Sequence, residues 1–410
     1  MRFIKIMTSR GIPLYACYLP HAKSVTTSVV VKVGMCNELW PQEAGLAHAM
    51  EHMVFRGTED FADSQKISAY IENTGGWLNA YTSRNYTYFQ NQLPYMHLEK
   101  GIHSLSQLVR KPLLRPKDIK AEMQAVIQEI KQRNDDPSEV LFDEFVNESF
   151  RGHPLGRDIL GTEKSVLGFK NADFKNWQNK YYRPENFMFF IVGNFKLSEA
   201  KKLFEKYFPE NASGRVLARP DAVIVPVKKV RQICRDTEQA HLAIGTIVPK
   251  AEDLDSMPLL VFQQMIGGGM SSPLFQEVRE KRGLAYSVHA CHWLYAQLGL
   301  FFIYVGTDPK KTEEAARVSL QVIKKYKNSS KLMKLAKEML IGELNLAMDN
   351  PKKVLGAAIE ELSLFGKIYS LKERVERIKA VTIGQISKAV EKYLLNENRR
   401  VTLILGPKTK

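Results

Sequence analysis

Cysteine is scarce in this chain. Its 410 residues include four, Cys17, Cys36, Cys234 and Cys291, scattered and never in a C-x-x-C pair. That pattern excludes a disulfide-built scaffold and a thiolate zinc site, and leaves reduced core thiols as the reading. Long apolar runs are missing too: no stretch of about 18 residues has the character of a membrane span. The opening Met1-Arg2-Phe3-Ile4-Lys5-Ile6-Met7 alternates like a strand and lacks both the apolar core of a signal peptide and the Arg/Ser-rich character of a transit peptide. The chain therefore reads as cytoplasmic, or as a mature form already trimmed. A net charge of +15 would suit an acidic partner. Its lysines, however, are spread along helical faces, as at Lys324, Lys325, Lys327, Lys331, Lys334 and Lys337, with no RNA-binding or helix-turn-helix pattern beside them. A solvated basic surface with no nucleic-acid partner is expected.

What is present is an ordinary globular composition, 44% apolar and 25% charged, over a length that implies two to four domains. Strands are expected at Phe3 to Met7, Leu14 to Leu19 and Val25 to Val33, then a helix around Gly45 to Phe55 and a second from Ala62 to Asn73, stopped by Thr74-Gly75-Gly76. A hairpin follows, from Trp77 to Thr82 and Tyr86 to Asn91, and two long helices cover Tyr95 to Arg110 and Pro116 to Phe145. The first half closes with a strand from Phe187 to Val192 and a helix from Ser198 to Tyr207. Around Asn211-Ala212-Ser213-Gly214 and Arg219-Pro220 the composition turns loop-like, which divides the chain near its midpoint, into 1–212 and 213–410.

The second half repeats the opening order. Strands at Val225 to Cys234 and His241 to Ile247 precede a helix from Asp253 to Ile266, a glycine run at Gly267-Gly268-Gly269, a helix to Lys281 and two strands, Tyr286 to Trp293 and Leu298 to Val305. Several helices and a final strand from Arg400 to Leu405 complete it. The pattern is a duplicated α+β unit. At an offset of about 212, His48, Glu51 and His52 fall opposite Leu260, Gln263 and Gln264, so the second copy lacks metal ligands.

The first copy carries His48-Ala49-Met50-Glu51-His52. Residues four apart lie on one face of a helix about one turn from each other, so both imidazoles can meet one ion while Glu51 reaches a water beside it. H-x-x-E-H is a zinc-hydrolase signature, although a histidine pair at this spacing is also compatible with a polar helix patch. Catalytic zinc needs a third protein ligand. Glu122 and Glu129, seven apart, share a face of a later helix, where one could bind metal and the other support a histidine, or both could be an ordinary charged face.

These residues resemble the inverzincin metallopeptidases related to pitrilysin, insulin-degrading enzyme and the mitochondrial processing peptidase. The resemblance implies one zinc per chain on His48, His52 and Glu129, which lies 77 residues beyond His52, with Glu51 as general base and Glu122 as an auxiliary glutamate. It implies that Arg279 and Tyr286, also seven apart, reach the substrate and the developing oxyanion from the second domain. It also makes Gly75-Gly76-Trp77-Leu78-Asn79-Ala80-Tyr81-Thr82 an exposed edge to which a peptide adds as a further strand, with Asn79 and Ala80 in contact.

The likeness runs through nearly the whole chain, including Gly267-Gly268-Gly269-Met270-Ser271-Ser272, and its length is that of the short processing-peptidase-like branch. The implied architecture is two mostly antiparallel sheet-and-helix domains arranged as a clamshell. Two such chains, identical or different, would close on peptides or unfolded polypeptide. The charge of +15 does not suit a basic presequence as substrate. A non-catalytic subunit of the same fold is one alternative, and a basic binding module with structural zinc is another. His289, Cys291 and His292 offer too few ligands on one strand face for a second metal site.

Overall fold

The computed structural model describes residues 2–214 and 228–408. Its first sheet has six strands: β1 (Ile4–Met7), β2 (Pro13–Tyr18), β3 (Ser24–Val31), β4 (Trp77–Thr82), β5 (Thr87–Pro94) and β6 (Phe187–Gly193), in the order β1-β2-β6-β3-β5-β4. All neighbours are antiparallel except β2 and β6. Five strands form the second sheet: β7 (Lys229–Cys234), β8 (Ala240–Val248), β9 (Ala285–Leu294), β10 (Gly299–Thr307) and β11 (Val401–Gly406), in the order β7-β11-β8-β10-β9.

Mapping β2, β6, β3, β5 and β4 onto β7, β11, β8, β10 and β9 reproduces that order, with a single parallel pair in each sheet. The duplication expected from the sequence is thus visible as one topology used twice. β1 has no counterpart among the described residues of the second copy.

Among the described residues, fourteen α-helices clothe the sheets. The first eight are α1 (Leu46–Val54), α2 (Ser64–Glu72), α3 (Leu98–Arg110), α4 (Pro116–Asp135), α5 (Pro137–Ser149), α6 (Glu163–Gly168), α7 (Asn171–Tyr181) and α8 (Leu197–Tyr207). The remainder are α9 (Ser256–Gly267), α10 (Thr312–Tyr326), α11 (Ser330–Ala347), α12 (Pro351–Phe365), α13 (Leu371–Ala380) and α14 (Ile383–Ala389). The single helix expected from Pro116 to Phe145 is two. Pro137 has no N–H to continue the ladder, and Asp136 accepts from Ser138 N at 2.8 Å and Glu139 N at 3.3 Å, so a new helix starts there. The helix expected to reach Lys281 is a short wide turn over Phe275–Glu280.

The chain forms two compact units that are not consecutive halves. One comprises Met1–Gln132, Arg157–Pro220 and Met348–Glu360; the other comprises Arg133–Gly156, Asp221–Ala347 and Glu361–Lys410. Relative to a division at 212/213, these units exchange α5, whose strand partners include β8, β10 and β11 of the second sheet. The Phe142 ring meets those of Trp293, Phe302 and Tyr304 at 5.2 to 5.7 Å, and Phe145 meets Phe302 at 5.0 Å. Arg231 of β7 pairs with Glu144 at 2.6 Å and with Glu148 at 2.8 Å. Arg219 and Pro220 of the expected linker, and the first residues of the strand expected from Val225, lie outside the described residues.

Each unit has its own apolar core. In the first, α3 lies on β3 and β5, and buried Phe189, Phe204 and Phe208 pack ring to ring beneath α8. In the second, α9, α10 and α14 enclose Phe262, Phe301, Ile303 and Val305. The first core holds the first turn of α1, and the second holds the Phe275–Glu280 turn.

Candidate metal centre

Helix α1 starts at a crowded turn. Gly45 has φ +85°, a left-handed conformation that favours glycine, and a Cβ there would come 2.4 Å from the Leu160 carbonyl oxygen. Before it, Glu38 is buried and accepts from Gly45 N at 3.0 Å and Ala47 N at 2.9 Å, so a carboxylate meets the unpaired N–H groups and positive end of the helix. Leu46, Ala47, Ala49, Met50, Met53 and Val54 anchor the helix in the core. His48 and His52 are thereby left together, with ring centroids 4.6 Å apart.

From α4, Glu129 places Oε2 3.6 Å from His48 Nε2 and 3.4 Å from His52 Nε2. One ligand atom each from His48, His52 and Glu129 falls within 4.8 Å of the others, and no fourth His, Cys, Asp or Glu joins them among the described residues. Two imidazole nitrogens and one carboxylate oxygen, with a position left open, are a donor set that fits zinc. Glu122, two turns back on the same helix, lies with Oε1 2.9 Å from His52 Nδ1. The glutamates seven apart therefore meet opposite edges of one imidazole. Burial opposes a charge on His52, but the hydrogen bonds and charges of Glu122 and Glu129 outweigh it and push its pKa up to about 9. Metal binding must displace that proton.

Glu51 takes no part in this trio. Burial raises its pKa, opposed by the Thr82 hydroxyl, which donates to Glu51 Oε2. Thr82 ends β4, and β4 is the outermost strand of the sheet on this side. Asn79 is exposed and Ala80 half-buried; the Asn79 Oδ1 accepts from Ala80 N at 2.9 Å. In the second unit, the Arg279 guanidinium lies 4.7 Å from the Phe275 ring centroid and 5.3 Å from that of Tyr286, itself 74% exposed at the head of β9.

Sequence reasoning missed three residues: Glu38, Thr82 and Arg56, whose Nε lies 3.3 Å from Glu122 Oε2. Thr82 alone had a signal, as the last position of a strand already assigned to the site. Among the described residues, no helix is long and apolar enough to cross a membrane.

Comparison with known proteins bears on the family and the fold. Residues 16–163 match the sequence profile described as Insulinase (Peptidase family M16), and residues 168–340 match the profile described as Peptidase M16 inactive domain. A Bacillus subtilis protein named uncharacterized zinc protease YmxG is 29% identical over 389 residues, covering 94% of each chain. A Mycobacterium tuberculosis protein also named an uncharacterized zinc protease is 29% identical over 413 residues, covering 97% of this chain and 91% of its own. Among solved structures, a protease from Helicobacter pylori superposes with a TM-score of 0.90 at 20% identity over 99% of both chains. A Pseudomonas fluorescens structure described as a peptidase M16 inactive domain gives 0.90 at 19% identity, over 100% of this chain and 98% of that one. The two profiles describe one family and together span most of the sequence, in agreement with the curated relatives and with the fold: the chain belongs to peptidase family M16.

Proposed function

We propose that this protein is a zinc-dependent endopeptidase that hydrolyses peptides or unfolded polypeptide segments. The observation that carries the reading is the convergence of His48, His52 and Glu129 on one point, with Glu51 on the same helix turned to a different partner. When bound by those three residues, zinc supplies Lewis acidity, activating water and polarising the scissile carbonyl.

The chain's own groups do the rest. Glu51 is the general base: its burial raises its proton affinity, which suits a carboxylate that must take the water proton and return it to the leaving amine. The Thr82 hydroxyl occupies one Glu51 oxygen and leaves the other to act as the base. Glu122 fixes the ring of His52 through Nδ1, so that Nε2 is the metal-binding nitrogen. The substrate adds to the open edge of β4 through backbone hydrogen bonds, and for that Asn79 must release the Ala80 N–H it now occupies. Tyr286 and Arg279 are assigned to the oxyanion and the substrate backbone. In this reading 1–212 is the catalytic half and 213–410 the supporting half, and two chains, identical or different, enclose the substrate.

The test is cleavage of a mixed peptide library by wild type and by Glu51→Gln, with zinc content and solution mass measured in parallel. Wild type should cleave, stop on addition of a chelator and recover with zinc, whereas E51Q should keep about one zinc per chain and lose cleavage. Zinc binding without cleavage in the wild type would instead assign a non-catalytic subunit of the same fold. Equal cleavage by E51Q would remove Glu51 from the reaction.

A further inference from the structure

Glu122 orients His52, and it is itself held in place. Its Oε1 lies 2.9 Å from His52 Nδ1, while its Oε2 lies 3.3 Å from Arg56 Nε. Arg56 stands four residues after His52, just past the end of α1, so its side chain leaves from one turn beyond the ligand and meets Glu122 coming from α4. The Glu122 side chain is only 12% exposed, so an oxygen without a cationic partner there would be poorly solvated.

The backbone beneath Arg56 is tied down as well. Arg115 donates from Nη2 to the Arg56 carbonyl at 2.7 Å and from Nη1 to the Ala62 carbonyl at 2.8 Å, and its Nε donates to Asp118 Oδ2 at 2.6 Å in the first turn of α4. Gly57 makes room for this: its φ is +144°, and a Cβ would come 2.8 Å from Ala62 O and 3.1 Å from an Arg115 terminal nitrogen. One arginine thus joins the main chain after α1 to α4, and the other joins the side chains of the same two helices. These helices carry the two histidines and Glu129.

We infer that Arg56 is a positioning residue for metal affinity: by engaging the second oxygen of Glu122 it holds that carboxylate, and through it the His52 ring, in the orientation that aims Nε2 at the metal. The inference rests on the reading of His48, His52 and Glu129 as the ligands. Two effects oppose each other when Arg56 is removed. Losing a nearby cation favours a dication electrostatically, whereas freeing Glu122 lets the ring turn. Arg56 is more than a third exposed and its charge is screened, while the Glu122 contact is sheltered, so orientation should win.

The experiment measures zinc Kd by chelator competition on the full chain for wild type, Arg56→Met, Arg56→Lys, Glu122→Gln and the R56M/E122Q double variant. R56M should bind zinc about tenfold more weakly, at the lower end of what partners of ligand histidines contribute. R56K, which returns a cation to the same oxygen, should lie within about threefold of wild type. Because Arg56 acts through Glu122, R56M should cost less than about twofold in the E122Q background.

The inference is overturned if R56M binds zinc as tightly as wild type or more tightly, or if its penalty persists undiminished beside E122Q. Should R56M fail to fold, Arg56→Leu, which also removes both the charge and the donor N–H, makes the same comparison. Wild-type protein that binds no zinc overturns the ligand assignment along with this inference; wild-type binding with an unaffected R56M overturns this inference alone.

Discussion

Replacing Glu38 by Gln tests whether the metal helix depends on one buried carboxylate at its start. An α-helix leaves its first N–H groups without intrahelical acceptors, and here two of them, from Gly45 and Ala47, end on the two oxygens of a side chain that is 4% exposed. Gln offers one acceptor oxygen, and its NH2 faces an N–H donor. Losing one charge-assisted bond and leaving its partner buried costs about 2–3 kcal/mol gross.

Part of that is returned. Burial pushes the Glu38 carboxyl well up, against the pull of the Ala47 and Gly45 N–H groups and Arg157, so ionising it in place is itself unfavourable and a neutral amide relieves that term. The net expectation for E38Q is about 1–2 kcal/mol of local stability, or roughly a five- to thirtyfold rise in opening of the first turns of α1. Hydrogen–deuterium exchange of zinc-free protein at neutral pH reads this directly, as faster exchange in peptides covering 46–54 and unchanged exchange in β8 and β10. Zinc affinity should fall in parallel, because His48 sits in the first turn. Exchange in 46–54 within twofold of wild type would refute the reasoning and reduce Glu38 to a spectator.

Other consequences are nearer the chemistry or the cores. Thr82→Val removes the hydroxyl that holds Glu51 without changing side-chain shape much; steady-state kinetics should show kcat down by about tenfold with zinc content unchanged, the signature of a lost orienting contact. Phe145 is fully buried against Phe302, so Phe145→Ala should cost about 3–5 kcal/mol, and the faster hydrogen exchange should appear in β8, β10 and β11 rather than in α1. Glu277 is bonded by Arg282 at 2.6 Å and Lys281 at 3.1 Å, with Lys325 at 3.4 Å, and is held down at about 2 against an ordinary 4.5. A depressed folded-state pKa adds stability above about pH 4.5 that is lost as pH falls towards about 2. Because its lysine partners are largely exposed, Glu277→Gln should cost only about 1–2 kcal/mol at pH 7, and thermal unfolding followed from pH 7 to pH 2.5 should show the gap to wild type closing.

Much of this architecture is legible in the sequence because its signals are local. The strand pair Trp77–Thr82 and Thr87–Pro94 follows from β-rich runs around a short turn, and α1 with its histidine spacing follows from helical periodicity. What escapes is information about partners. The apolar residues of α5, Leu141 and Phe145 among them, announce that the helix covers something, but nothing in its own sequence says that the something is the second sheet. Asp136-Pro137 does announce the break before α5, since an Asp cap followed by Pro is a start signal, and a continuous amphipathic pattern across it masks the signal. Arg56 and Glu38 are hidden for the same reason as α5: each acts on a group 7 to 66 residues away, and a lone Arg or Glu carries no pattern that spacing alone can pick out.

The second unit explains why duplication did not double the site. Its helix α9 stands between β8 and β9 as α1 stands between β3 and β4, and α11 follows β10 in the place that α4 takes after β5. At the position opposite His52 is Gln264, and its Nε2 donates to Glu343 Oε1 of α11 at 3.2 Å; opposite Glu51, Gln263 donates to the Ala290 carbonyl at 2.9 Å. The contact between the two helices therefore persists, with an amide donor to the carboxylate in place of a titratable ring. A neutral amide needs neither a metal nor a proton to donate to a carboxylate, so this copy can keep that contact between its helices at any metal concentration. In the first copy the histidines and glutamates on the same two helices attract one another, and under the proposed function metal is the partner that would satisfy both carboxylate and imidazole at once. On that account, what separates a metal centre from a structural brace at this point of the fold is the exchange of a few side chains on one short helix, with no change in the backbone order that presents them.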